Sequence, residues 1–297
     1  MMAPAQARLL ADGRRLHLHH GPIDLIVEAF AGPGERAAAY RRIAARFATV
    51  LEELVAELAE LRRPATATPR EFRGSTARRM ERAVCPLSAG FITPMAAVAG
   101  AVADETLDAL VAGGAVDRAY VNDGGDIALF LSPGRSIRAA VAGTGHGFAN
   151  RLVVDAADPV RGIATSGWRG RSHSLGIADA VTVLARSAAE ADAAATVVAN
   201  AVDLPGHHAV TRVPASSLSP DSDLGDRLVT YRVGALGRAE IAEALDRGVA
   251  VAESLRGAGL IEAAALFLGG EARLCGDPRL APAAAADEIS REVSVHA

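Results

Sequence analysis

The chain has 297 residues, half of them hydrophobic, and a formal net charge of −4. That balance argues against a basic nucleic-acid-binding surface, and an aromatic content of 4% leaves no stacking platform for single strands. The longest run of small apolar residues, 94–102, is about half of the roughly 20 residues a membrane span needs, and the first residues lack a continuous apolar segment. A globular protein without a membrane or nucleic-acid partner, and cytoplasmic by default, is expected. The two cysteines, Cys85 and Cys275, match no metal spacing and fit a reducing compartment.

Residues 14–30 read as a hairpin, with a turn at 21–24 between two alternating strands. His17 and His19 share one strand face and His20 opens the turn, either as a metal site or as a solvated face, the latter because no acid or cysteine accompanies them. Residues 34–63 read as one long helix whose apolar face is Ile43, Phe47, Val50, Leu51, Leu54 and Leu58, ended by Pro64. After a polar connector, Arg78, Arg79 and Arg82 fall on a short helix, where they either meet phosphate or face water.

Thr93-Pro94 opens a helix of small residues that runs past Asp104 to Gly113-Gly114. Its small side chains allow another backbone or a flat ligand to come close. Residues 117–142 alternate as strands, interrupted by Asn122-Asp123-Gly124-Gly125-Asp126. The two glycines mark either a bulge near a ligand or a tight hairpin turn. The loop 143–147 is glycine-rich but lacks the helix that a dinucleotide fingerprint requires.

The densest polar stretch is 162–185. Thr165, Ser166 and Gly167 offer hydroxyls and amides suited to an anion, with Arg169, Arg171, His173 and Asp179 close behind and the single tryptophan, Trp168, among them. A buried strand at Val181–Leu184 follows, then Ser187 as a helix N-cap. On that helix Asp192 and Thr196 lie four apart and so leave the same face. They offer two hard oxygen ligands of the kind Mg²⁺ takes; the alternative is a first-turn acid and a hydroxyl bonded to the preceding turn. The remainder reads as a strand at 228–233, an amphipathic helix near 237–259 and a closing hairpin, followed by a disordered tail at 281–297. Strands in runs between long helices predict a single α+β domain over residues 1–280 with mixed or antiparallel sheets and packed helices.

Three motifs together resemble the ApbE superfamily of FAD:protein FMN transferases and flavin-diphosphate hydrolases. They are Asn122-x-Gly124-Gly125-Asp126-Ile127, Ala164-Thr165-Ser166-Gly167, and Val181-Thr182-Val183 followed by Asp192-x-x-x-Thr196. The longer run 165–183 and the later 220–225 look closer to the UPF0280 branch, over nearly the whole chain; the likeness to the transferases themselves covers roughly 90–205.

The resemblance implies an ApbE-like, T-fold-like domain that binds FAD beside Mg²⁺. It implies Asp192, Thr196 and the backbone carbonyl near Val98 as metal ligands, with Gly100 and Asp104 as the matching positions of the small-residue helix. It further implies Asn122, Gly124, Gly125, Asp126, Thr165, Ser166, Gly167 and Arg169 as flavin-nucleotide contacts, and Arg171, His173 and Asp179 as the catalytic groups. The activity expected is transfer of FMN to a hydroxyl of a flavin-accepting redox protein, or hydrolysis of FAD; the alternative is a flavin, nucleotide or small-ligand binding protein on the same fold. Three departures bear on this. Ala99 stands where the family often has lysine, the His-x-x-Asp-Pro-x-x-Gly segment is replaced by the shorter 171–176, and the N-terminal Met-Gly-Thr pattern is absent.

Overall fold

The computed structural model describes residues 4–140 and 151–276; the glycine-rich loop at 143–147 and the tail at 281–297 lie outside them. The strands are β1 (Gln6–Leu9), β2 (Leu16–His20), β3 (Ile23–Phe30), β4 (Arg118–Asp123), β5 (Asp126–Leu131), β6 (Ser136–Ala140), β7 (Arg151–Asp155), β8 (Gly162–Ser166), β9 (Ala180–Ala185), β10 (Val210–Pro214), β11 (Leu228–Val233), β12 (Ala263–Leu268) and β13 (Glu271–Cys275). The helices are α1 (Pro33–Ala56), α2 (Leu58–Leu61), α3 (Ser75–Val84), α4 (Val98–Val111), α5 (Ala188–Ala201), α6 (Ala215–Leu218) and α7 (Arg238–Gly257). The architecture is α+β, and the registered strand pairs are antiparallel. By contacts the chain divides into two compact units, one of residues 1–137, 155–164 and 185–194, the other of 138–154, 165–184 and 195–297.

In the first unit, β1 to β5 pair in chain order, and the start of β8 joins β5 through Ile163 and Gly162. The alternation in β2 and β3 works as a two-residue period must. Leu16, Leu18 and His20 of β2 and Ile23, Leu25, Val27 and Ala29 of β3 are buried, and the strand residues that alternate with them are not. Helix α1 carries the complementary stripe of Ala39, Ile43, Phe47, Val50, Leu51 and Leu54. Full burial of each large apolar side chain contributes roughly 1.5–3 kcal/mol. His20 belongs to this core, 2% exposed and edge-on to Phe47.

Three expectations are corrected here. The long helix is two pieces, because the chain leaves helical geometry at Glu57, whose carboxylate accepts the Arg73 and Gly74 amides at 2.7 and 2.8 Å. His17 and His19 do have an acid beside them. Asp24, opposite His19 in the register, bonds His17 Nε2 at 3.0 Å and His19 Nδ1 at 3.3 Å. The arginines of α3 are neither one phosphate patch nor one wet face. Arg79 pairs with Glu105 and Asp108 of α4, Arg78 folds back onto the Phe72 and Arg73 carbonyls, and Arg82 alone of the three is exposed. Glu105, buried, also takes Arg46 Nε at 2.9 Å, so α1, α3 and α4 are tied by one shared carboxylate.

In the second unit, β9, β12 and β13 form an antiparallel set, with β9 and β12 buried throughout. Strands β10 and β11 form a separate antiparallel pair. Helix α7 packs on β12 and β13, which Gly248 permits, since a Cβ there would meet Val202 and Leu266 side chains at 2.4 and 2.6 Å. Both cysteines are buried and unpaired, and among the described residues no helix is long and apolar enough to cross a membrane.

Candidate functional site

The Asn122–Asp126 segment is a hairpin turn, not a bulge. Asp123 pairs with Asp126, and Gly124 and Gly125 take φ of 63° and 119° between them, a backbone that glycine adopts freely. The Asn122 side-chain oxygen accepts the Gly125 amide at 2.8 Å and stiffens the turn. Turn chemistry thus accounts for both glycines, and it leaves Asp123 and Asp126 at the strand ends.

Those carboxylates matter because of Asp192. Ser187 caps α5 as expected, accepting the Glu190 amide at 3.2 Å. One turn on, Asp192 is partly buried, and its Oδ2 accepts the Gly100 amide of α4 at 3.0 Å. Burial first, then the like charge of Asp126, then that of Asp123, hold the Asp192 carboxyl well above the usual carboxylate range, against the amides of Gly100 and Ala99. The segment that begins the small-residue helix is therefore brought to Asp192. The helix itself starts later than expected: Pro94–Ala97 is a 3₁₀ turn capped by Thr93, and α4 begins at Val98. Val98 is the first residue of α4, so its carbonyl sits at the same helix end as the amides that Asp192 accepts. Thr196 follows four residues after Asp192 on α5 and is likewise partly buried.

The two matching positions of α4 have a structural task. Gly100 lies flat against the start of α5, where a Cβ would be 2.2 Å from the Ala188 carbonyl oxygen. Asp104, one turn further, accepts the Ala188 and Ala189 amides at 3.1 and 2.9 Å. With Ser187 it satisfies three of the first-turn amides that a helix leaves open. Each helix thus receives an acid from the other at its N-terminus: Asp104 serves α5, and Asp192 serves α4. Gly162 at the start of β8 makes a third close approach, with a Cβ position 2.0 Å from the Ser187 carbonyl oxygen. Its only trace in the sequence is a glycine opening a strand, a signal too common to single out.

The remaining candidate residues belong to the second unit. Thr165 Oγ1 lies 2.9 Å from Oγ1 of Thr182, the fully buried middle residue of the Val181-Thr182-Val183 motif. Gly167 lets the end of β8 approach Asp179, whose carbonyl oxygen would be 2.6 Å from a Cβ. Ser166 is partly exposed. Arg169 stacks over Trp168, with Cζ 4.9 Å from the ring, and its Nε donates to Asp179 Oδ1 at 2.6 Å. Asp179 Oδ2 takes the Gly269 amide at 2.7 Å, so both of its oxygens are engaged. His173 Nε2 meets Ser219 Oγ at 3.0 Å, and Arg171 is exposed. Among the described residues no group of three or more His, Cys, Asp or Glu is placed to hold a metal ion. The donor set expected here has one carboxylate, one hydroxyl and one carbonyl.

A family model described as "AbpE bacteria" matches residues 7–274. The chain belongs to this family. Relatives in the curated proteins are UPF0280 proteins of archaea. The one from Methanothrix thermoacetophila is 38% identical over 158 residues, covering 52% of this chain and 64% of the relative. The one from Methanopyrus kandleri is 39% identical over 129 residues, covering 42% and 48%. The chain therefore spans about half to just under two thirds of these relatives, and the UPF0280 likeness covers about half of this chain, not nearly all of it. Among solved structures, the flavin transferase ApbE from Vibrio cholerae superposes with a TM-score of 0.46 at 13% identity, over 93% of this chain and 99% of that one. The apo flavinyl transferase ApbE from Pseudomonas stutzeri gives 0.38 at 15%, over 91% and 93%. The family the motifs pointed to is thus the family of the chain.

Proposed function

We propose that this AbpE-family protein binds FAD with Mg²⁺ and transfers FMN to a hydroxyl of a flavin-accepting redox protein, or to water. Membership of the family supports the reading, and the state of Asp192 carries it. A partly buried carboxylate loaded by two further carboxylates is poorly stabilised by two amides alone. A hard dication answers that deficit, and the oxygen donors of Asp192, Thr196 and the Val98 carbonyl are the type Mg²⁺ accepts. When bound, the metal neutralises charge on the pyrophosphate as the bond between the phosphates breaks.

The chain's own residues do the rest in this reading. In the first unit, α4 holds Asp192 by the Gly100 amide, and the turn from Asn122 through Gly124 and Gly125 to Asp126 is proposed as a nucleotide contact. In the second unit, Thr165, Ser166, Gly167 and Arg169 are proposed to contact the nucleotide, and Arg171 to balance phosphate charge. His173 is proposed to take the proton of the attacking hydroxyl, with Asp179 holding Arg169 in place. The hydroxyl oxygen bonds to the FMN phosphorus, the bond to the AMP phosphate breaks, and AMP leaves. With water as the acceptor, the products are FMN and AMP. Two buried, unpaired thiols support a cytoplasmic setting.

The test is calorimetric titration of FAD with and without Mg²⁺, for the wild type and Asp192→Ala. Binding is expected to require Mg²⁺ and to weaken by roughly a hundredfold in the variant, the upper end for loss of support at a metal site. Equal binding in all four titrations would sink the assignment of Asp192. A second reading, flavin binding without turnover, is favoured by one observation: both oxygens of Asp179 are already engaged, and His173 is bonded to Ser219. Chromatography of FAD incubated with Mg²⁺ and the protein separates the two. FMN and AMP support hydrolysis, flavin fixed to an added acceptor supports transfer, and intact FAD with tight binding supports the second reading.

A further inference from the structure

A concave site lies in the first unit, beside Arg36 of α1. It is a cavity of about 390 Å³ lined by Arg14, Arg36, Arg118 and Arg135, with Glu28, Asp117 and Phe30. The volume falls within the roughly 300–1,000 Å³ of small-molecule sites. Four guanidinium groups against two carboxylates leave it at +2, on a chain whose net charge is −4. Both carboxylates are already answered. Arg14 pairs with Glu28 at 2.8 Å, and Arg135 with Asp117 at 3.1 Å. The uncompensated pair is Arg36 and Arg118.

These two are placed by the fold. Arg118 stands opposite Phe30 in the β3–β4 register, stacks on its ring at 4.3 Å and gives one N–H to the Ser136 carbonyl at 2.9 Å. A guanidinium has five N–H donors, so four are left over. Arg36 sits in the first turn of α1, where the helix dipole disfavours a cation. Its backbone amide donates to the Gly32 carbonyl at 2.9 Å, and among the described residues its side chain makes no hydrogen bond or ion pair. The acid of that turn, Glu35, is committed to Arg42 at 2.7 Å, and the N-cap, Gly32, supplies no side chain. The helix thus presents to the cavity an arginine whose side chain has no partner among the described residues. The wall is pinned from behind. The Tyr40 hydroxyl accepts the Ala29 amide at 3.3 Å and donates to the Arg14 carbonyl.

We infer that this cavity binds a small phosphorylated polyol, its phosphoryl group on Arg36 and Arg118. A bare phosphate is too small to fill the space. The Phe30 ring already carries Arg118, with Arg14 at 5.8 Å, so recognition rests on charge and hydrogen bonds, not on stacking of a base. Concave basic walls strengthen the local field, and charge-assisted bonds to two guanidinium groups fix the phosphoryl oxygens.

The experiment is calorimetric titration of glycerol 3-phosphate into the full chain, with glycerol as the uncharged control, for the wild type, Arg36→Gln and Arg118→Gln. Saturable binding of glycerol 3-phosphate and none of glycerol is expected. Each variant should weaken it by about tenfold, the loss of one charge-assisted hydrogen bond. The Arg36 side chain is partly exposed and makes no hydrogen bond or ion pair among the described residues, so its variant keeps the wild-type melting temperature. Absence of binding to the wild type, equal binding of glycerol, or an unchanged affinity in Arg36→Gln would each overturn the inference.

Discussion

Gly100→Ala is expected to cost about 3 kcal/mol or more of stability. The added Cβ would stand 2.2 Å from the Ala188 carbonyl oxygen, 2.4 Å from its carbon and 2.7 Å from the Ala189 nitrogen. All three are backbone atoms, so no side-chain rotation relieves the contact. Overpacking of a well-filled site typically costs 1–3 kcal/mol, and a backbone neighbour puts this case at the upper end. Opposing it, alanine is better than glycine inside a helix by about 1 kcal/mol, which is smaller than the clash. The start of α5 must move away from α4, and both acid-to-amide contacts between the two helices then lengthen together. Gly113→Ala is the control, because its nearest neighbour is the Arg42 side chain at 3.7 Å, an ordinary contact. Urea denaturation of the two variants decides the matter. A Gly100→Ala protein as stable as the control would mean that the helices have room the geometry denies.

What the sequence disclosed about these helices follows from the range over which each signal acts. Local signals carried well. The Ser187 cap, the wholly buried β9, the 16–30 hairpin and the α7 helix were legible because alternation, helical spacing and capping are decided within a few residues. Asp192 and Thr196 were legible as a pair for the same reason, being one turn apart. Long-range signals did not carry. Nothing near Glu57 announces that its carboxylate takes the amides of Arg73 and Gly74, so the break between α1 and α2 was invisible. Asp24 escaped notice as the partner of His17 and His19 because it reads as a turn residue until the hairpin register is known. Asp123 looked like turn chemistry, and turn chemistry does explain the glycines beside it. Its charge bears on Asp192 only through the folded backbone. Gly100 and Asp104 were marked by resemblance alone, and the physical reason for both is a neighbour more than 80 residues away in the chain.

Asp104 shows how that neighbour is held, and its titration gives the second large effect. Burial raises its carboxyl from the ordinary 3.8 to about 6, against the lowering pull of the Ala189 and Ala188 amides. The folded carboxyl therefore takes up its proton at a higher pH than the unfolded one. Above about 6 both are ionised, and the cost of a buried charge is fully present. As the pH falls from 6 toward 3.8 the folded form protonates first and the cost is withdrawn. At 1.4 kcal/mol per pH unit, this group should stabilise the protein by about 3 kcal/mol on acidification across that window. Asp104→Asn has no such titration. The stability of the wild type relative to this variant should thus rise as the pH is lowered from 7 to 4, and a flat difference would refute the burial-driven shift. Asp104→Ala removes the acceptor of two buried amides, each costing about 1–3 kcal/mol when left unpaired. It also removes the buried charge. The two effects oppose each other at pH 7, where a net loss of about 2 kcal/mol is expected. At pH 5 the wild type has regained part of its charge cost, so the same substitution should be more damaging there than at neutrality. A carboxylate that held the start of α5 mainly by its charge would give the reverse order, and the direction of that pH dependence tells the two apart.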